Sequence, residues 1–276
     1  MRVKKVLNNN VLIAAHPEYN EVILTGKGIG FGKRTGEDIS EESAEKFFVL
    51  RDQEEQQQYK QLLNYIEESF IGLMNECIER IEKRFEVRLN EHIHVGLTDH
   101  LYFAVKRIQQ GMDIKNPFLT ETELAYPKEY SVALELVEWL NEQLDISVPV
   151  GEVGFITLHI HSALTNRDLA EVNKHTQLIS RMVDVIEESL KISVDQGDVN
   201  YLRLIRHFHA SIERVQKDEN RPENQETLAK VLQAEYPVCY NLAWKLIKIM
   251  QQNLHKPVPD AEAVYLTLHL QRLAKQ

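Results

Sequence analysis

Histidine titrates near neutral pH and carries a nitrogen nucleophile, so its placement is the first clue to chemistry in this chain. Of the eleven histidines, four stand in repeated surroundings. Thr157-Leu158-His159 recurs 110 residues later as Thr267-Leu268-His269. At the same offset Tyr126-Pro127-Lys128-Glu129-Tyr130 recurs as Tyr236-Pro237-Val238-Cys239-Tyr240, and Val148-Pro149-Val150-Gly151-Glu152 as Val258-Pro259-Asp260-Ala261-Glu262. His100 and His207 form a further pair, 107 residues apart in comparable apolar contexts. Three ungapped matches at one offset imply a duplicated module. Histidines kept at matching places imply a shared task.

Three tasks compete. A histidine pair can hold a metal, but no carboxylate stands at a ligand spacing such as His-Glu-x-x-His. It can serve as general acid or base, but the chain shows no nucleophile elbow, phosphate loop or Cys-His signature to work with it. It can accept a phosphoryl group, which requires only a reachable ring nitrogen and a docking surface. A single histidine is more often a packed or surface residue; four repeated in place shift the balance towards function. His161, His209 and His94 lie two or six residues from these positions. They rank as secondary, because an i+2 neighbour on a helix points elsewhere. No catalytic residue, metal or cofactor is expected.

The elements that must position these residues differ along the chain. Val3, Val6-Leu7, Val11-Leu12-Ile13, Val22-Ile23-Leu24 and Phe47-Phe48-Val49-Leu50 are short β-prone runs. They are separated by Asn8-Asn9-Asn10, by His16-Pro17-Glu18-Tyr19-Asn20 and by a glycine-rich stretch from Gly26 to Gly32. A sheet of three or four such strands is marginal alone, which predicts a homodimer through one sheet face. From about Asp52 the pattern turns helical, beginning with a polar hinge-helix over Gln53 to Gln58. Helices are expected near 55–85, 91–111, 117–144, 151–163, 172–190, 197–217, 224–254 and 260–275. The fold class is multidomain: a small all-β head with a short antiparallel sheet, then two all-α helical-bundle repeats. The expected boundaries are 1–55, 56–168 and 169–276.

Composition narrows the setting. No stretch approaches the roughly 20 apolar residues that span a bilayer, and Met1-Arg2-Val3-Lys4-Lys5 leads into asparagines, not an apolar signal core. Cys77 and Cys239 form no Cys-x-x-Cys pair, so neither a disulfide framework nor a zinc site is indicated, and a reducing cytoplasm is the expected location. Residues 1–36 carry six basic and two acidic side chains, a net of +4, so the other 240 residues carry −14 of the total −10. A basic head can hold nucleic acid locally while an acidic body repels it generally.

Taken together, these residues resemble a known family. Thr98-Asp99-His100, Gly154-Phe155-Ile156-Thr157-Leu158-His159-Ile160-His161, Arg206-His207 and Tyr265-Leu266-Thr267-Leu268-His269 resemble the four histidine motifs of paired PTS regulation domains. Lys5-Val6-Leu7-Asn8-Asn9-Asn10 with Gly26-Lys27-Gly28-Ile29-Gly30-Phe31-Gly32-Lys33 is similar to a co-antiterminator RNA-binding domain. Over essentially its full length the chain resembles the BglG/SacY/LicT family of transcriptional antiterminators. Ile29-Gly30-Phe31-Gly32-Lys33, Lys115-Asn116-Pro117-Phe118-Leu119 and His161-Ser162-Ala163-Leu164-Thr165-Asn166-Arg167 look most like its glucose-operon branch.

The resemblance implies that a head dimer binds a hairpin in nascent leader mRNA and prevents termination of a sugar-transport operon. Lys5, Asn10, Gly26, Lys27 and Phe31 are the implied RNA contacts. Lys5 and Lys27 would neutralise phosphate, Asn10 would hydrogen-bond base or backbone, Gly26 would allow close backbone approach, and Phe31 would stack on a base. Position 27 is often Arg in the family, and Lys27 lacks its planar fork. The implied phosphorylation sites are His100 and His159 in the first module, His207 and His269 in the second. The implied partners are the EIIB domain of a sugar permease and the phosphocarrier HPr. Arg107, Arg206 and Arg214 are candidate partners of a phosphoryl group, although a solvated helix face is the favoured reading of each. A DNA-binding activator with the same modules is disfavoured because the head lacks a helix-turn-helix pattern. A phosphocarrier would need a substrate-binding motif, and none is visible.

Overall fold

The computed structural model describes all residues except 45, 50–52, 64, 113, 220–224 and 276. It opens with strands β1 (Arg2–Asn8), β2 (Val11–His16), β3 (Asn20–Thr25) and β4 (Lys46–Phe48). They form one antiparallel sheet in the order β1-β2-β3-β4. Register is fixed by β-branched and apolar pairs, with Leu12 opposite Leu24 and Ile13 opposite Ile23. Leu12, Ala14, Val22 and Leu24 turn one face onto a small core with Val3, Ile29 and Ile39. Val11, Ile13 and Ile23, on the other face, are buried as well. Both faces are thus covered within one chain, and a partner is not needed merely to shield the sheet. Leu50, the last residue of the expected fourth β run, lies outside the described residues.

The remainder is helical: α1 (Gln53–Leu62), α2 (Glu68–Phe85), α3 (His92–Gln109), α4 (Leu119–Ala125), α5 (Pro127–Leu144) and α6 (Val150–Thr165). These are followed by α7 (Leu169–Leu190), α8 (Val199–Gln216), α9 (Glu226–Glu235), α10 (Pro237–Leu254) and α11 (Ala261–Leu273). Three expected helices are each two in the structure. Over 117–144 and 224–254 the break falls at Tyr126-Pro127 and Tyr236-Pro237. The ring of a proline disfavours the α conformation in the preceding residue. Tyr126 (φ −129°, ψ 57°) and Tyr236 (φ −133°, ψ 56°) accordingly leave the helix in the same way. The proline then opens the next helix, where its missing N–H costs nothing. Residue 224, the expected start of one of these helices, lies outside the described residues. Over 55–85 the break precedes α2, where Glu67 is extended (φ −64°, ψ 141°).

Two compact units result: residues 1–115 with 131–167, and residues 116–130 with 168–276. In the first, α3 packs against α6; in the second, α8 packs against α11 in the equivalent arrangement. The second unit closes over Leu178, Met182, Ile205, Phe208, Leu246, Met250, Leu266 and Leu270, with Leu124 of α4 against this core. Cys77 and Cys239 are both free and buried. Burial pushes both thiols up in pKa, which keeps them protonated and unreactive. Among the described residues no helix is long and apolar enough to cross a membrane.

Candidate RNA interface and paired histidine sites

In the head, two loops are zipped into one surface. The Asn8–Asn10 turn joins β1 to β2, and the glycine stretch follows β3. Asn10 ties them twice: its carbonyl accepts from the Gly26 N–H (3.0 Å), and its side-chain Oδ1 accepts from the Gly28 N–H (2.7 Å). The Gly30 N–H donates to the Asn9 carbonyl at 2.8 Å. A Cβ on Gly30 would overlap the Asn8 carbonyl oxygen, so only glycine fits there. Phe31, at the rim of this surface, is 76% exposed. An aromatic ring left in water is unusual for a core residue and apt for stacking on an unpaired base.

Of the implied contacts, Lys5 and Lys27 are exposed on the head and Gly26 is buried in the loop junction. Asn10 is partly buried, and its Oδ1 is committed to the loop; any contact it makes to RNA falls to its NH2 group. The steric demand in the glycine run is sharpest at Gly30, which the sequence alone does not single out.

In the helical units, His100 on α3 and His159 on α6 stand ring to ring, with centroids 5.2 Å apart. His207 on α8 and His269 on α11 do the same at 5.0 Å. A carboxylate completes each pair. Nε2 of His100 lies 2.8 Å from Glu152, and Arg107 reaches the other Glu152 oxygen at 2.9 Å. Nε2 of His207 lies 2.9 Å from Glu262, and Arg214 reaches its other oxygen at 2.6 Å. The spacing explains the match. Arg107 and Arg214 stand seven residues after His100 and His207, and Glu152 and Glu262 seven before His159 and His269. Two helical turns bring each such pair to one face.

Local structure positions the carboxylates. The Val-Pro dipeptides precede α6 and α11, and the Glu152 and Glu262 N–H groups donate to the carbonyls of Pro149 and Pro259, each at 3.0 Å. Both glutamates therefore sit in a helix's first turn, where the helix dipole favours negative charge. Burial alone would raise their pKa. Hydrogen bonds and charge from His100 and Arg107 outweigh it for Glu152, which is held below the ordinary value. His207 and Arg214 hold Glu262 down at about 2.

The inner histidines are set differently. Burial drives His159 down to about 3, helped by the charges of His100 and His92. His269 is lowered to about 4 by burial and by His207, Arg272 and Arg203. Both rings are neutral at physiological pH and carry a lone pair, as a nucleophile must. The outer rings keep a window to solvent: the side chains of His100 and His207 are 20% and 16% exposed.

Arg107 and Arg214 thus hold the site carboxylates, while Arg206 lies exposed on α8. Glu152 and Glu262 are the residues sequence reasoning missed as site members, although both lie in the repeated Val-Pro-x-x-Glu. The secondary histidines have local partners. His209 packs edge-on against Tyr126 with centroids 5.0 Å apart, and His94 is buried. Among the described residues no group of three or more His, Cys, Asp or Glu is placed to hold a metal ion.

Comparison with known proteins agrees with this division. The family model for the CAT RNA binding domain matches residues 1–57, and that for the PRD domain matches twice, at residues 75–163 and 180–273. The PtsGHI operon antiterminator of Bacillus subtilis (strain 168) is 56% identical over 274 residues, covering 99% of this chain and 97% of that protein. The GlcA/glcB genes antiterminator of Staphylococcus carnosus (strain TM300) is 39% identical over 276 residues, covering 99% and 96%. The crystal structure of GlcT CAT-PRDI superposes with a TM-score of 0.55 at 54% identity, covering 59% of this chain and 98% of that one. An RNA-binding head followed by two matched histidine modules places this chain in the BglG family of PTS-regulated, RNA-binding transcriptional antiterminators.

Proposed function

We propose that this antiterminator serves a glucose phosphotransferase operon, gripping a hairpin in the leader mRNA as a homodimer of its head. The observation that carries this is the duplicated His–Glu–Arg site behind a basic, aromatic-tipped β head. On this reading the protein works in the cytoplasm, with domains over 1–55, 56–168 and 169–276. Its RNA contacts are Lys5, Asn10, Gly26, Lys27 and Phe31. His100 and His159 receive phosphate from an EIIB domain and silence the protein when sugar is absent. His207 and His269 receive it from HPr as a second input.

The physics is a change of charge. A phosphoryl group adds about two negative charges where a neutral ring stood. On a ring held by Glu152 or Glu262, it adds negative charge to a site whose arginine already serves the carboxylate, and it repels whatever negative group faces it. Capture of leader transcripts with the full-length protein, followed by sequencing, tests the RNA half. Enrichment of one leader hairpin upstream of a glucose-permease gene is expected, and enrichment of no leader hairpin overturns it. The regulatory half is tested by a His100→Ala/His159→Ala variant in an antitermination reporter. Constitutive read-through without sugar is expected; an unchanged sugar response removes the assignment.

A further inference from the structure

We propose that Glu152 and Glu262 decide which ring nitrogen is phosphorylated, reserving Nε2 of His100 and His207 and directing the phosphoryl group to Nδ1. This rests on the reading that these two histidines are phosphoryl acceptors. A neutral imidazole carries one proton and one lone pair on different nitrogens. The nitrogen that donates to a neighbour keeps the proton, so the other is the nucleophile. An ionised carboxylate only accepts. Nε2 of His100 is hydrogen-bonded to Glu152 at 2.8 Å. Nε2 of His207 stands 2.9 Å from Glu262, an ion-pair approach outside hydrogen-bond geometry in which a proton on Nε2 is still the favourable arrangement. The proton therefore belongs on Nε2 and the lone pair on Nδ1.

Three further observations agree. Nε2 of His207 is closed to solvent although 16% of the side chain is exposed, so the reachable part of that ring lies elsewhere. Arg107 and Arg214 pin the second oxygen of each carboxylate, so neither can easily swing aside. A phosphoryl group on Nε2 would also set its negative charge directly against a carboxylate, whereas one on Nδ1 stands across the ring from it. The two modules have only partial sequence likeness around these residues, yet they build the same arrangement.

The step balances as a transfer from a protein-borne phosphohistidine or phosphocysteine. The Nδ1 lone pair forms the new N–P bond. The donor's N–P or S–P bond breaks, and its electron pair returns to the donor nitrogen or sulfur. The acceptor ring gains positive character, which the carboxylate offsets through the proton it shares with Nε2. Glu152 and Glu262 are positioning residues here: they act through the ring and do not touch phosphorus.

The test uses the full-length protein labelled with ¹⁵N-histidine and phosphorylated from phosphoenolpyruvate by the purified phosphotransferase proteins. Long-range ¹H–¹⁵N and ³¹P correlation spectra identify the isomer, and single-histidine variants assign the signals. At His100 and His207 the Nδ1 isomer is expected to exceed the Nε2 isomer at least tenfold. Glu152→Gln and Glu262→Gln, whose amides can either donate or accept, are expected to bring that ratio towards one. Predominance of the Nε2 isomer at these residues overturns the inference and leaves their role as acceptors standing. Phosphate on neither residue overturns the acceptor reading as well. The native-chain spectrum decides the matter even if a variant fails to fold.

Discussion

Gly96 lies against His159: a Cβ at position 96 would come within 3.3 Å of both Cε1 and Nδ1 of the imidazole. Gly96 is on α3, the helix that carries His100, so the small residue lets α6 bring its ring in beside the outer one. A contact at 3.3 Å is tighter than ordinary van der Waals packing, and the buried His159 must yield to accommodate it. Gly72 on α2 has open space around the corresponding direction. Gly72→Ala is therefore expected to stabilise the protein by about 0.5–1 kcal/mol through lost unfolded-state entropy. Gly96→Ala forgoes that gain, because the displaced ring offsets it. Thermal melts of the two variants check this; equal stabilisation would show that the His159 pocket is slack.

The same burial predicts a pH dependence. His159 and His269 have folded-state values of about 3 and about 4, against 6.5 when unfolded. The unfolded chain thus binds protons that the folded chain refuses once the pH drops below the unfolded value. Stability is full above pH 6.5 and falls on acidification, by about 1.4 kcal/mol per pH unit for the buried His159 once its unfolded form is fully protonated. The fall is smaller for the partly exposed His269, whose charge solvent screens. Glu262 moves in the same direction, but only below its unfolded value of 4.5. Chemical denaturation between pH 7 and 5 therefore isolates the histidines. His159→Gln is expected to lower the slope in that window whatever it does to stability at pH 7. An unaltered slope would mean that His159 is not buried neutral.

Much of this arrangement was legible in the sequence, and the missing parts share one physical cause. The repeat located His159 and His269, and periodicity located the helices that bear them. The seven-residue spacings of Arg107 from His100 and of Glu152 from His159 were also there to be read, since such residues share a helix face, but sequence reasoning passed over them. What spacing cannot show is that the carboxylate of one helix meets the histidine of the other. Glu152 and His100 are 52 residues apart in sequence, and only the packing of α3 on α6 joins them. The division at Tyr126-Pro127 was readable from the proline rule, but the apolar periodicity runs through it and masks the break. The grouping of residues 116–130 with 168–276 depends on tertiary contacts alone.

Phe31 gives the head its cleanest separation of function from stability. Its side chain is largely in water, so Phe31→Ala removes little packing. A base stacked on an aromatic side chain contributes about 1–3 kcal/mol, so RNA affinity is expected to fall roughly 5- to 150-fold with the melting temperature unchanged. Gly30→Ala is expected to behave differently, losing both affinity and head stability, because the new Cβ meets the Asn8 carbonyl oxygen. Gel-shift titration beside thermal melting separates the two; a Phe31→Ala protein with full affinity would exclude stacking.

Tyr201 and Glu121 make a buried polar contact within the second unit. The Tyr201 hydroxyl donates to Oε1 of Glu121 at 2.9 Å, and the residues are 1% and 4% exposed. Burial and the nearby carboxylate both push the phenol's pKa up, so it remains a donor across the working pH range. Tyr201→Phe leaves the apolar ring in place but strips the carboxyl group of its partner. Leaving a buried acceptor unsatisfied costs about 1–3 kcal/mol, more than the modest net value of a hydrogen bond. Glu121→Gln keeps an acceptor for the hydroxyl and is expected to cost less. With Glu121→Leu as the second single variant, the double variant Tyr201→Phe/Glu121→Leu removes both polar partners together and is expected to cost less than the two single losses combined, giving a non-additive cycle in urea denaturation. Strict additivity of the single losses would show that the contact contributes nothing and that α4 is held in the second unit by its apolar residues.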